Sequence, residues 1–336
     1  MRNRWVVTGG LGFIGSAFVR LVLAERADVA ITVLDAMTYA GNPANLAAVA
    51  GDPRYRFVRG DIADAAAVDE AIGDGCEAIV NFAAESHVDR SILDPETFIR
   101  TDVMGTHVLL EAVRRHEIGR FLQVSTDEVY GDVEAGASVE SDPIRPRSPY
   151  AASKAGGDLQ VLAYHHTYGT PVLITRGSNT YGPYQYPEKL IPLFVTNLLD
   201  RETVPVYGDG LQVRDWLYVD DHARGIAHVL DRGVPGETYN LGGGNSRTNL
   251  EITRLLLELT GSAYESSVRH VKDRAGHDRR YALDSEKARR LGWAPRTEFA
   301  AGLAQTVAWY REHESWWRPL KSGEFREYFR RQYASR

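Results

Sequence analysis

The feature that most narrows the fold of this chain is a glycine-punctuated turn between a strand pattern and a helical one. Trp5 to Thr8 is followed by Gly9-Gly10-Leu11-Gly12-Phe13-Ile14-Gly15 and then by helical periodicity over Ile14 to Glu25. Glycines 9 and 12 let the backbone turn tightly and bring N–H groups to a pyrophosphate at the positive end of a helix, and Gly15 lets that helix lie close on the strand. Asp35 closes the second strand pattern about 20 residues further on, placed to accept hydrogen bonds from both ribose hydroxyls of an adenosine. Its charge repels a 2′-phosphate and only Ala36 and Met37 follow it, so NAD is expected rather than NADP.

The rest of the first half repeats the same alternation. Ala30 to Leu34, Arg56 to Val58, Ala78 to Phe82, Arg120 to Val124 and Val172 to Thr175 read as strands, and Ala65 to Ile72, Val103 to His116 and Tyr150 to Thr167 as helices. The expected fold is α/β, a doubly wound (Rossmann) parallel sheet with helices on both faces and a smaller mixed α/β substrate-binding domain. After Arg176 the rhythm breaks into Pro/Gly/Tyr-rich loops, with helical patterns at Ile191 to Leu199, Leu250 to Thr260 and Phe299 to Glu312. The division falls near residue 177: an NAD-binding part over 1–177 and a substrate-binding part over 178–336. The helical periodicity of Leu217 to Asp231 suggests that part of 211–235 rejoins the first.

Bulk properties exclude other classes. The net charge of −6 over 336 residues gives no basic surface for a nucleic acid. No apolar run approaches the ~20 residues of a membrane span. One cysteine, Cys76, cannot form an internal disulfide, and no secretory pattern precedes Trp5, so the expected location is cytoplasmic. No metal is expected.

Two groups of residues point to chemistry. Tyr150 and Lys154 are four apart at the start of a helical pattern and share one face. An ammonium beside a phenol stabilises the phenolate, lowering a pKa that is ordinarily about 10, so the pair can deprotonate an alcohol while a hydride leaves for NAD. Ser125 or Thr126 can orient the same oxygen. Asp127 and Glu128 follow directly, and because strand side chains alternate, both can face one ligand only if the strand has ended. They are therefore placed on the loop at the carboxyl edge of the fifth strand, where ligands of open parallel sheets bind; two solvated acids on a surface loop is the plain alternative. Asp61 and Ile62 past the third strand fit the side of an adenine, and Phe82, Ala83 and Ala84 past the fourth fit along the cofactor. Asp61 fits equally well as a helix N-cap.

Five segments in order carry a resemblance over nearly the whole chain: 83–91 (AAESHVDRS), 125–131 (STDEVYG), 148–154 (SPYAASK), 187–193 (PEKLIPL) and 276–281 (GHDRRY). The chain resembles the extended short-chain dehydrogenase/reductase family and, within it, the dTDP-glucose 4,6-dehydratases. That resemblance implies oxidation of a sugar at carbon 4, loss of the carbon 5 proton to Glu128, departure of the carbon 6 hydroxyl with a proton from Asp127, and hydride return to carbon 6. It implies cofactor contacts from Phe13, Ile14, Thr38, Ser86, Thr101 and Thr180 besides the residues above. It assigns Ser86 and Asn179 to the sugar, with Thr126 at the reacting oxygen. Lys189, Leu190, Pro205 and Tyr207 fall to the nucleobase, and Arg214, Asn249, Arg274 and His277 to the diphosphate region. On charge pattern alone, Arg214 could instead pair with Asp215. The resemblance also implies a homodimer built on the helices at 103–116 and 150–167. Thr180 stands where the family usually has asparagine, and Ala275 where it has proline.

Relatives using the same redox pair include UDP-glucose 4,6-dehydratases, nucleotide-sugar 4-epimerases and UDP-glucuronate decarboxylases. An epimerase does not need Asp127 and Glu128, and a decarboxylase needs no acid at a carbon 6 hydroxyl. A non-catalytic NAD sensor would have no reason to combine Tyr150, Lys154, Asp127 and Glu128.

Overall fold

The computed structural model describes residues 3–274, 276–321, 323, 325–327 and 329; Ala275, one of the two departures noted above, lies outside them. In chain order the first half contains β1 (Asn3–Thr8), α1 (Phe13–Glu25), β2 (Val29–Asp35), β3 (Tyr55–Arg59), α2 (Ala65–Ile72), β4 (Ala78–Asn81), α3 (Val88–Leu93), α4 (Pro95–Phe98), a π-helical turn (Ile99–Gly105), α5 (Thr106–Arg115), β5 (Arg120–Thr126), a 3-10 turn (Asp127–Tyr130), α6 (Pro149–Tyr168) and β6 (Val172–Gly177). Then follow β7 (Asn179–Tyr181), α7 (Leu190–Leu199), β8 (Val204–Tyr207), β9 (Val213–Tyr218), α8 (Val219–Arg232), β10 (Thr238–Leu241), β11 (Ser246–Thr248), α9 (Asn249–Thr260) and β12 (Val268–Val271).

Seven strands form one parallel sheet in the order β10-β6-β5-β4-β1-β2-β3. The fold is the doubly wound one expected. β-branched and aliphatic residues fill its central strands, and β6 is buried along its whole length, as strands covered on both faces must be. One apolar core holds Phe18 and Val22 of α1 together with Ile226 and Leu230 of α8; another holds Val68 of α2, Leu109 and Val113 of α5 and Val161 of α6. Chain order reverses between β1 and β4, and the carboxyl ends of those strands open a crevice. A third core, around Tyr181, Phe194, Trp216, Leu256 and Tyr310, unites the remaining elements with a three-stranded sheet, β11-β9-β7, and the pair β12-β8.

Local chemistry sets the ends of the elements that carry function. Ser148 caps α6 through Ala151 N–H (3.1 Å), Pro149 occupies its first turn, and Gly169 ends it with φ +69°. Three sequence expectations need correction. The helix read over Val103 to His116 starts with the wider π turn and becomes α-helical only at Thr106; Gly105 lies against Ile62, and Asp102 reaches Ser153 Oγ at 2.5 Å. Leu217 and Tyr218 end β9, so the helix begins at Val219. The seventh strand, β10, follows the Pro235-Gly236 loop and is not among the strands read from the sequence.

Ile226 is fully buried between α1 and the sheet. Ile226→Ala should lower unfolding free energy by about 2–5 kcal/mol, read from urea denaturation; a loss near zero would show that α8 contributes little to this layer.

Candidate active site

All residues singled out above as cofactor, catalytic or substrate candidates line one cavity of about 520 Å³. It starts at the β1–α1 turn. Gly9 has φ +64°, and a Cβ there would lie 2.5 Å from Ala83 N; a Cβ on Gly15 would collide with the Gly9 carbonyl. Helix α1 has Gly12 as its N-cap, no side-chain cap and no acidic residue in its first turn, so its N-terminal N–H groups remain available to an anion. The buried Asp35 carboxylate accepts from Leu11 N–H (3.0 Å) and Met37 N–H (2.8 Å). A glycine cradle, an uncapped helix start and an oriented carboxylate fit the pyrophosphate and ribose of a dinucleotide. Asp61 is not the N-cap of α2, which is Asp64; it accepts from Ala63 N–H (2.8 Å) and pairs with Arg100 (3.4 Å).

At the carboxyl end of β5 the strand stops at Thr126 and turns into the 3-10 segment. Thr126 Oγ1 donates to Asp127 Oδ1 (3.2 Å), accepts from Glu128 N–H (3.3 Å), and hydrogen-bonds the Tyr150 side chain. Asp127 is buried, and its Oδ2 has no hydrogen-bond partner among the described residues. Its carboxyl is pushed up to about 8, first by burial and then by Glu128, against the pull of Arg214. Glu128 is only half-buried.

Lys154 Nζ donates to the Val124 carbonyl (3.0 Å). The phenol of Tyr150 is raised well above its ordinary value, by burial first and then by Glu128 and Asp102. This runs against the expectation of a lowered value: desolvation and the surrounding carboxylates raise the phenol.

The substrate candidates line the rest of the same cavity. Arg214 is buried, donates to the Asp278 (2.9 Å) and Val213 (2.8 Å) carbonyls, and lies 4.3 Å above the Tyr281 ring. It does not pair with Asp215, whose carboxylate accepts from Gly243 and Asn245 N–H instead. Arg274 Nε is buried without a hydrogen-bond partner among the described residues, and His277 Nδ1 contacts Asp273 (2.6 Å). Lys189 Nζ is bonded to the Ser86 carbonyl, and Tyr207 Oη donates to Asp89 (3.2 Å). Asn249 opens α9; Leu190 opens α7 and Pro205 lies in β8. Asn179 Oδ1 is buried without a described partner. Thr180 Oγ1 meets His222 Nδ1 (2.8 Å) and the Ser178 carbonyl (3.1 Å).

Sequence reasoning missed several lining residues. Glu85, pushed up to about 7 by burial and neighbouring acids, and Glu188 were quoted inside motifs but given no role. His222, pushed down to about 4 by burial, lies in α8, read only as packing. The adjacency of Thr180 and His222 is a tertiary contact with no local signal.

The model of the family described as GDP-mannose 4,6 dehydratase matches residues 6–306. The chain belongs to this family. Within reach of it, the dTDP-glucose 4,6-dehydratase of Streptomyces griseus is 56% identical over 323 residues, spanning 95% of this chain and 98% of that protein. The solved structure of DesIV, a dTDP-glucose 4,6-dehydratase from Streptomyces venezuelae with NAD and TYD bound, is 57% identical with a TM-score of 0.92, covering 95% of this chain and 100% of that one. The dTDP-glucose 4,6-dehydratase of Bacillus anthracis in complex with NAD gives 46% identity and a TM-score of 0.89, covering 95% and 100%.

The position of Asp127 in this family fold has a pH signature. A carboxyl raised from its ordinary 3.8 to about 8 favours the folded state in its protonated form, so its contribution to stability is present below the unfolded value and lost as pH rises through about 8. Asp127→Asn should therefore gain thermal stability relative to the unsubstituted protein as pH rises towards 8. Infrared titration should show one carboxylic C=O band lost near that pH and missing from the variant; no such band at neutral pH would contradict the assignment.

Proposed function

We infer that the chain is an NAD-dependent hydro-lyase that converts dTDP-glucose to dTDP-4-keto-6-deoxy-glucose. The observation that carries this reading is a buried Asp127, its carboxyl pushed up to about 8, next to a half-buried Glu128, both at the strand end that presents Thr126 to Tyr150. NAD, when bound, accepts the carbon 4 hydride and later returns it to carbon 6. Tyr150, with Thr126 and Lys154, takes the proton from the carbon 4 hydroxyl. The resulting ketone acidifies carbon 5, whose proton goes to Glu128. Asp127 gives its proton to the carbon 6 hydroxyl, which leaves as water, and Glu128 returns a proton to carbon 5 as the hydride arrives at carbon 6. Neighbouring carboxyls held in different environments can divide acid and base work in this way.

The cofactor roles of Gly9, Gly12, Phe13, Ile14, Gly15, Asp35, Thr38, Asp61, Ile62, Phe82, Ala83, Ala84, Ser86, Thr101 and Thr180 belong to this proposal. So do the sugar, base and diphosphate roles of Asn179, Lys189, Leu190, Pro205, Tyr207, Arg214, Asn249, Arg274 and His277. The NAD-binding part is residues 1–177 with the returning α8, and the remainder of 178–336 binds the nucleotide sugar. A homodimer is part of the reading, supported by apolar side chains left exposed along the π turn and α6, among them Ile99, Met104 and Leu159. Among the described residues no helix is long and apolar enough to cross a membrane. A cytoplasmic location accords with a single cysteine that leaves no disulfide to form.

The purified protein incubated in deuterated water with dTDP-, UDP-, CDP- and GDP-glucose should release water from the thymidine sugar and carry deuterium at carbon 5, by mass spectrometry and NMR. Epimerised sugar, or no turnover with any donor, would overturn the reading. Thymine and uracil differ by one methyl, worth about 1–3 kcal/mol, so the uridine sugar should be the nearest competitor. Asp127→Asn and Glu128→Gln should each cut kcat by about 10²- to 10⁴-fold. Tyr150→Phe should abolish the initial oxidation, whereas a Phe variant unchanged in function would point to an NAD sensor.

A further inference from the structure

We propose that Glu188, gripped by Tyr39 and Arg90, is a clasp that holds the dinucleotide in the crevice while its hydride is on loan; the proposal rests on the NAD-dependent reading above. Three stretches of chain far apart in sequence line the crevice: the loop after β2, the segment after β4, and the approach to α7. One side chain ties them together. The Glu188 carboxylate, whose side chain is 2% exposed, accepts from Tyr39 Oη (2.8 Å) and Arg90 Nε (3.0 Å). The Arg90 guanidinium lies 3.8 Å from the centre of the Tyr39 ring, and the edge of that ring meets Tyr186 at 5.3 Å between centroids.

Backbone contacts reinforce the same seam. The Glu188 carbonyl faces His87 Nε2 (3.4 Å), and the next residue, Lys189, is bonded to the Ser86 carbonyl. Tyr39 stands four residues after Asp35, in the loop whose Met37 N–H fixes the ribose-facing carboxylate. Moving that loop away from the crevice therefore pulls Tyr39 off Glu188. Breaking a buried hydrogen-bonded pair leaves a carboxylate short of partners in a low-dielectric seam, which is costly.

The proposed chemistry makes retention consequential. The hydride removed from carbon 4 must reach carbon 6 of the same sugar after elimination, so a cofactor that leaves between the two steps carries it away. Each premature opening would free one NADH and leave one unsaturated 4-keto sugar that lacks its hydride. None of the three clasp residues needs to touch the reacting carbons; they are positioning residues.

The test is exchange of bound NAD in the holoprotein against excess isotopically labelled NAD, with no sugar present. Glu188→Gln and Tyr39→Phe should speed exchange by about 10- to 100-fold, the range for losing a hydrogen bond to a charged group. Arg26→Gln, which breaks the exposed Arg26–Asp231 pair (2.6 Å), should exchange at the unsubstituted rate. With dTDP-glucose added, the two clasp variants should also release NADH into solution, seen by its near-ultraviolet absorbance, while Tyr39→Phe still unfolds in one cooperative thermal transition, shifted down from that of the parent. Exchange unchanged in both clasp variants, or quickened as much by Arg26→Gln, overturns the clasp. A parent protein that binds no NAD and dehydrates no sugar overturns the underlying reading instead.

Discussion

The crevice exists because the backbone at Gly9 and the backbone at Phe82 and Ala83 come closer than any side chain allows. At Gly9 a Cβ would meet Ala83 N at 2.5 Å and Phe82 C at 2.7 Å, so the β1–α1 turn and the segment after β4 form one continuous wall at the point where strand order reverses. The other features are arranged around that wall. Helix α1 starts with open N–H groups because Gly12 offers no cap; Asp35 faces inward because two backbone N–H groups hold it; and the end of β5 that carries Thr126 lies one strand beyond β4. A larger residue at position 9 would have to push apart the two strands that define the crevice, rather than perturb one contact.

Desolvation then sorts the ionisable groups. It raises Asp127, Tyr150, Asp102 and Glu85 and lowers His87 and His222. In every case it favours the neutral form, as burial in a low-dielectric cavity should. The consequence differs with the group. For the acid of the proposed elimination, Asp127, a raised pKa is useful at neutral pH. For a phenol that must accept a proton, the same burial is a handicap, and the neighbouring Glu128 and Asp102 add to it. The positive charge of an oxidised nicotinamide in the crevice would act in the opposite sense, tying the base to the presence of the oxidised cofactor.

Much of this was legible in sequence because it is local. Strand and helix periods, the glycine spacing, Asp35 at a strand end, and the four-residue separation of Tyr150 and Lys154 all lie within short windows, and the alternation of strand side chains was enough to place Asp127 and Glu128 beyond the end of β5. What escaped depends on distant pairs. The π turn at Ile99–Gly105 coincides with contacts of Gly105 with Ile62 and of Asp102 with Ser153. Tyr39 and Glu188 are 149 residues apart, and neither has a sequence neighbour that hints at the other. The raised pKa of Tyr150 escaped because a four-residue spacing says that two side chains share a helix face but not how deeply they are buried or that Glu128 and Asp102 face the phenol.

Enzymes that oxidise a sugar only to reduce it again face one difficulty in common: the cofactor is a reagent in the first step and must still be there for the last. In an epimerase the interval is short, since only a ketone must turn over. In a dehydratase a proton must leave carbon 5 and water must leave carbon 6 before the hydride can return, so the interval includes a bond cleavage. A buried ionic hydrogen bond across the seam makes opening costly, because separating it leaves a charge without its partners. On the proposed reading, the acid at Asp127 and the clasp at Glu188 answer the same demand: one speeds the elimination that separates the two hydride transfers, and the other keeps the cofactor in the crevice until the hydride has returned.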